Sequence, residues 1–267
     1  MVLCNLHFIS LKDSISLRSF LGQLRQHGIK PIVQARAVRW MILPSHTSTG
    51  HLLGRNVRWD LLLFLAEADT IPQEVQRDIA AIWSASCGVS AKALSAYAST
   101  SKTLLNPAPG SVAPPEKPTL APSRTSQNLE VSPELLEWID ALPTSLREHP
   151  VSMLNLLAFN TGKVEQYKRY GEAFTARVGS RHGGQVKIVG KVVASGQAQA
   201  QEDGWDEIAF VHYPSVQHFA AMAASRDYQE VNHQYRLGAL KDTFILCVME
   251  VDDDGNIVNL NHNRGKL

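Results

Sequence analysis

Charge of one sign is missing: 26 Lys and Arg stand against 25 Asp and Glu in 267 residues, a net of +1. A balanced chain has no field that gathers polyanions, so nucleic acid and anionic membrane surfaces are not expected partners. Long hydrophobic runs are missing too. Stretches such as Leu61–Ala66 reach six residues, far short of the roughly 20 needed to span a bilayer. The opening MVLCNLHFIS has no cationic n-region and reads as a strand, which makes the cytoplasm the expected location. Three cysteines, Cys4, Cys87 and Cys247, lie in apolar surroundings without Cys-x-x-Cys spacing, so buried free thiols are expected rather than a disulfide or metal framework. The Gly-rich dinucleotide and phosphate loops, H-E-x-x-H and G-x-S-x-G are all absent. No histidine pair has ligand spacing for a metal, and no cofactor is expected.

What is present is 44% hydrophobic and 19% charged sequence, the proportions of a folded globular chain. At roughly 100 to 200 residues per domain the length suggests two domains. Proline supplies the division: seven of 13 prolines lie at Pro107, Pro109, Pro114, Pro115, Pro118, Pro122 and Pro133. NPAPGSVAPPEKPTLAPSRTSQ can build neither ladder nor helix, because proline removes donors among small and polar neighbours. The expected organisation is an N-terminal domain over 1–105, a linker over 106–132 and a C-terminal domain over 133–267.

The two blocks repeat one pattern. Each opens on a strand containing Asn-Leu, Asn5-Leu6 and Asn155-Leu156. An amphipathic helix follows, with Leu17, Phe20, Leu21 and Leu24 at i, i+3, i+4 and i+7 in the first block and Val164, Tyr167, Phe174 and Val178 more loosely spaced in the second. Each helix ends at His-Gly, His27-Gly28 and His182-Gly183. Second strands follow in IKPIVQARAVRWMIL and QVKIVGKVVA, and Trp59-Asp60 and Trp205-Asp206 open third strands. Helices are then expected over 71–86 and 215–229, and fourth strands over 92–99 and 243–251. The order βαββαβ is the ferredoxin-like unit. The predicted fold is therefore α+β, two ferredoxin-like βαββαβ domains in tandem, their sheets packed as a pseudo-dimeric α/β barrel.

MLNLLAF, YKRYGEA, HGG, WDEIAFVHYPS and DYQEVNHQYRLGALKDTFIL resemble small ferredoxin-like proteins of the dimeric α/β-barrel superfamily, over about 150–250. The first half resembles a diverged copy that lacks the Tyr-Gly-Glu and Tyr-Pro-Ser segments. The resemblance implies a cleft between sheet and helices, or a barrel interior, used on hydrophobic, oxygenated small molecules. Tandem, proline-linked versions resemble fungal polyketide-pathway cyclases such as those forming the α-pyrone of aurovertin-type polyenes. What it implies is a cofactor-free cyclase of secondary metabolism, closing a lactone or pyrone ring by acid–base catalysis on a polyketide that a polyketide synthase would hand over. A cofactor-free monooxygenase of the same fold and a non-catalytic partner of a synthase are the alternatives, and a homodimer is left open.

On the third strand of the second half, alternation puts Asp206, Ile208, Phe210 and His212 on one face and Trp205, Glu207, Ala209, Val211 and Tyr213 on the other. Asp206 and His212 are then about 20 Å apart and cannot form a dyad. The candidate catalytic residues are Asp206, His182, His212 and Tyr170, with Asn155, Tyr228, His233 and Arg236 as candidate substrate-binding residues. Each also has a structural reading: Asp206 as a carboxylate at a strand start, Asn155 as a bonded amide bridging to it, His182 at a helix terminus, Tyr170 as edge packing, and the segment around Tyr228, His233 and Arg236 as solvated surface. His233 and Arg236, three apart, are expected to face one cavity. Arg36 and Arg39, an odd number apart on one strand, are expected on opposite faces.

Overall fold

The computed structural model describes residues 1–47, 50–54, 56–118, 126–194 and 199–259. Much of the first half of the linker lies in it, whereas 119–125 fall outside the described residues. Eight antiparallel strands close a barrel in the order β1-β3-β2-β8-β5-β7-β6-β4. They are β1 Val2–Leu11, β2 Val33–Ile42, β3 Leu61–Ala66 and β4 Ile79–Val89 in the first half, and β5 Val151–Phe159, β6 Gln185–Val192, β7 Glu207–Tyr213 and β8 Leu240–Glu250 in the second. Each half contributes four strands in the same order, fourth-first-third-second, and the halves join at their edges through β2–β8 and β4–β6. Among the described residues no helix is long and apolar enough to cross a membrane.

Barrel closure removes the exposed edges that each four-strand sheet would otherwise leave. The β4–β6 seam is tight: a Cβ on Gly190 would lie 2.9 Å from the Cys87 sulfur and 3.0 Å from Val89, so only glycine lets the strands meet there. Inward-facing side chains fill the barrel. Phe8, Trp40, Trp59, Trp83, Trp205 and Phe244 stack in one aromatic cluster, and the space left beside Leu6, Leu62, Leu154 and Phe210 is only about 10 Å³, about one water molecule. Around these side chains the interior is packed as core. Cys4, Cys87 and Cys247 are buried free thiols.

Helix α1, Leu17–Gln26, starts at the Ser16 cap and lays Leu17, Phe20, Leu21 and Leu24 on the outer face of the first sheet. The expected helix over 71–86 is instead a single turn, Gln73–Gln76, followed by β4, and the expected strand over 92–99 is helix α2, Ala91–Leu105. Both differences have a sequence cause. From Ile82 to Val89 the residues alternate, with Trp83, Ala85, Cys87 and Val89 inward and Ser84 and Ser86 outward, which is strand periodicity. AKALSAYASTSKTLL is rich in helix formers and follows Ser90, whose side chain accepts from the Ala93 N–H. With the second helix of its half shrunk to one turn, part of the outer face of β1 and β4 is uncovered, and Leu3 and Ile82 are exposed.

Helix α2 closes one end of the barrel. There the buried Lys187 ammonium pairs with Glu250, donates to Ser101 Oγ at 3.0 Å, and lies over the Tyr97 and Phe210 rings. At the other end, Asp242 accepts from the backbone N–H groups of Ser45, His46 and Thr47, and Asp203 accepts from Trp83 Nε1 and pairs with His51. After the linker come α3, Pro133–Ala141, α4, Val164–Ala173, α5, Val216–Ala224, and α6, Arg226–Val231. The last two split the single helix expected over 215–229 at Ser225. Both α4 and α6 continue into π-helical turns, Phe174–Gly179 and Asn232–Arg236.

The Trp-Asp repeat fixes how the halves correspond. Asp60 Oδ2 accepts from the Leu11 N–H at 2.9 Å and its own N–H donates to the Ile9 carbonyl; Asp206 Oδ2 accepts from the Phe159 N–H at 2.8 Å and its N–H donates to the Leu157 carbonyl. Ile9 thus matches Leu157, and His7, paired with Leu63, matches Asn155, paired with Ala209. The Asn-Leu likeness is therefore out of structural register by two residues. A second correction concerns β2. A bulge between Ala37 and Arg39 opposes two residues to one on β8, which reverses the alternation and puts Arg36 and Arg39 on the same face.

Candidate active-site cleft

On the outer face of the second sheet, α4 does not settle onto the strands. It buries none of its residues and leaves a cleft of about 770 Å³ between itself and β5, β6 and β7, within the usual size of small-molecule sites. The floor is low because Ala209 and Val211 stand where the first half has leucines. Val164, Val186 and Val189 at the rim are about two-fifths exposed, an apolar mouth open to solvent. Along α4 the rings of Phe159, Tyr167, Tyr170 and Phe174 follow one another at 5.1, 5.1 and 6.0 Å. The two π-helical turns border this cleft; such turns widen the helix locally and recur at functional sites.

Four charged residues, Lys168, Glu172, Glu207 and Arg236, interrupt the apolar lining. Glu207 faces the cleft from the start of β7, and burial pushes its carboxyl up to about 7, the Lys168 ammonium opposing and Asp206 reinforcing the shift. Arg236 borders the cleft, only 2% exposed. Its Nη1 donates to the Gln127 carbonyl at 3.1 Å and to Asn232 Oδ1 at 3.3 Å, while Nη2 has no partner. The hydroxyls of Tyr167, Tyr170 and Tyr228 surround the guanidinium, and burial raises all three tyrosines, so they are neutral donors near pH 7.

Of the sequence candidates, Asn155, Tyr170 and Arg236 come together at this cleft, with Tyr228 behind it. The Asn155 amide donates to the Met153 and Ala209 carbonyls and not to Asp206, leaving its oxygen available. Asp206 is engaged at the strand start described above. His182 is buried against Asp227 at 3.3 Å, just before Gly183, whose φ of 71° ends the helix. His212 faces inward among the core; burial pushes it down to about 3, Lys187 and His218 adding to the shift, and its Nδ1 is unpartnered. The structure does not bring these three to the cleft. His233 is exposed whereas Arg236 is buried, because the wider π-helical turn separates residues three apart. Glu207 is the cleft residue that sequence reasoning passed over. Its signal was a carboxylate alternating with Ala209, Val211 and Tyr213 on one strand face.

A second concavity, of about 760 Å³, opens beside the start of α1 and is lined by Lys12, Arg36, Arg39 and Arg58 among others. Of its two acids, Asp13 and Asp60, the second is taken by the Leu11 N–H and by Arg58 at 2.9 Å. Among the described residues no cluster of three His, Cys, Asp or Glu side chains could hold a metal ion.

Residues 156–249 match a family model described as a domain of unknown function, DUF1330. No curated protein matches the chain. Among solved structures, a protein of unknown function from Rhodopseudomonas palustris is 26% identical, with a TM-score of 0.34, 45% of this chain and 93% of that chain covered. A candidate monooxygenase from Lactobacillus acidophilus is 5% identical over 94% of both chains, with a TM-score of 0.45. An anthrone oxidase-like protein is 10% identical over 94% of this chain and 92% of its own, with a TM-score of 0.42.

Proposed function

We propose that the second-half cleft is the active site of an acid–base enzyme that acts on an apolar, oxygenated small molecule, and that Glu207 is its base. The observation that supports this reading is a carboxyl group with a pKa of about 7 facing an apolar, tyrosine-lined cleft. A base poised near the working pH is the efficient one, and such proton transfer contributes about 10² to 10⁴-fold. The reaction we favour is ring closure of a polyketide-like chain to a lactone or pyrone. Glu207 takes the proton of an enol or hydroxyl group, and that oxygen bonds to a thioester carbon. The carbon–sulfur bond breaks, and the departing thiolate takes the proton back from Glu207. The Asn155 amide oxygen and the tyrosine hydroxyls orient the polar groups, and the aromatic row on α4 holds the chain near its reactive geometry.

Oxygenation in the same cleft would begin with the same deprotonation and differs in consuming O₂. The test is conversion of polyketide-derived β-keto thioesters followed by mass and with an oxygen electrode. Ring closure releases thiol without oxygen uptake, and Glu207→Gln removes it. Oxygen uptake matching product would replace cyclase by oxygenase. Turnover undiminished in Glu207→Gln would remove the base assignment, and binding without turnover would leave a carrier.

A further inference from the structure

We propose that the ligand of this cleft is an apolar carboxylic acid whose carboxylate is received by the Arg236 guanidinium, with the hydroxyls of Tyr167 and Tyr170, which also line the cleft, as further donors. The inference rests on the cleft being a ligand site and does not need Glu207 to be a base. Arg236 is 2% exposed, and no carboxylate of the described residues lies within ion-pair distance; its own hydrogen bonds go to one carbonyl and one amide oxygen. Burying a guanidinium without a counter-charge is costly. Nη2 of Arg236 makes no hydrogen bond of good geometry, with the Tyr167 hydroxyl near the guanidinium, and leaving such a donor unmade adds to the cost. A carboxylate supplies the counter-charge and the missing acceptor together, since its two oxygens match the guanidinium fork.

The charge of the ligand follows from the neighbours. One guanidinium is available, Lys168 is committed to Glu165 at 2.6 Å, and Glu207 would repel a dianion. A single negative charge fits and a phosphate monoester does not. Its body follows from Phe159, Val164, Val186 and Val189, apolar side chains against which a hydrophobic frame would lie. The anchored carboxylate is then separate from any acyl carbon that reacts, so an acyl thioester without a second acid group would bind poorly.

Titration calorimetry with 2-naphthoate and its neutral isostere 2-naphthamide, at pH 8, tests this directly. The protein should bind naphthoate at least about tenfold more tightly, a factor of ten being about 1.4 kcal/mol. Arg236→Gln should bring the two to parity, and Arg236→Lys should fall between. Equal affinity of the unaltered protein for the two compounds overturns the proposal, as does binding of neither at millimolar concentration or a preference that survives in folded Arg236→Gln. Should Arg236→Gln not fold, Tyr167→Phe serves: the naphthoate preference should shrink in it, and a preference unchanged there overturns the proposal. Glu207→Gln separates the two readings. Naphthoate preference together with full turnover in Glu207→Gln would keep the anion site and remove the base; parity with turnover lost would do the reverse.

Discussion

The two halves of the barrel share a strand order, a helix ending at His-Gly and an Asp clasp at the third strand, yet they use the space between sheet and helix in opposite ways. In the first half α1 buries four large side chains against Leu61, Leu63 and Leu65, all fully enclosed. In the second, the same three strand positions hold Glu207, Ala209 and Val211, and α4 buries nothing. Three substitutions on one strand face therefore separate a packed core from a cleft. One of the three replaces a leucine by a carboxylate, the proposed base. The first half fills this space with buried side chains, and the second leaves it open as a gap that gives up burial.

The sharpest way to break this comparison is at Glu207. Glu207→Gln should lower kcat about 10² to 10⁴-fold. In the unaltered protein the rate should rise with pH through about 7 as the carboxylate forms, and steady-state profiles should lose that limb in the variant. Next comes exchange at the paired floor positions. Leu63→Ala should cost about 2 to 5 kcal/mol in denaturant unfolding, because it opens a cavity in a sealed core. Ala209→Leu should leave stability within about 1 kcal/mol and abolish ligand binding, since its side chain grows into open space. Equal destabilisation by both would erase the distinction between the halves.

Smaller effects test what the halves share. Asp60→Asn and Asp206→Asn should each lose about 1 to 3 kcal/mol, the cost of weakening a charged bond to a backbone N–H, without shifting the pH profile of turnover. A shifted profile in Asp206→Asn would return that residue to the catalytic set. The smallest effect is acid sensitivity. Burial pushes His212 down to about 3 and His7 to about 4, whereas an unfolded histidine titrates near 6.5. The unfolded chain takes up these protons first, so stability is complete above about pH 6.5 and declines as pH falls toward those values. His212→Leu should make the decline shallower, and His7→Gln less so, as followed by thermal melts from pH 7 to 4.

Much of the fold was legible because it follows from local pattern. The i, i+3, i+4, i+7 spacing of α1, the glycines after His27 and His182, and the repeated Trp-Asp each report a local cause. The misreading over 71–99 came from weighing the repeat above local signals: alternation from Ile82 and the Ser90 cap both pointed the other way. The site was legible in part. Asn155, Tyr170 and Arg236 drew attention as polar groups in apolar segments. Glu207 did not, since a lone glutamate on a strand usually faces water, and its carboxyl is perturbed only by what packs around it.

Of the two βαββαβ units read from the sequence, the α+β class, the first helix of each half ending at His-Gly and the Trp-Asp start of each third strand were determined by the sequence itself, because periodicity, capping and glycine act within a few residues. Tertiary structure alone decided that the barrel interior is filled and the outer cleft of one half is open. It also put Arg236 apart from His233 and brought Arg36 and Arg39 onto one face. Those outcomes depend on side-chain volumes meeting across strands, on one bulge and on two π-helical turns. Each of these shifts the register by a residue or less, which no spacing rule along the chain resolves.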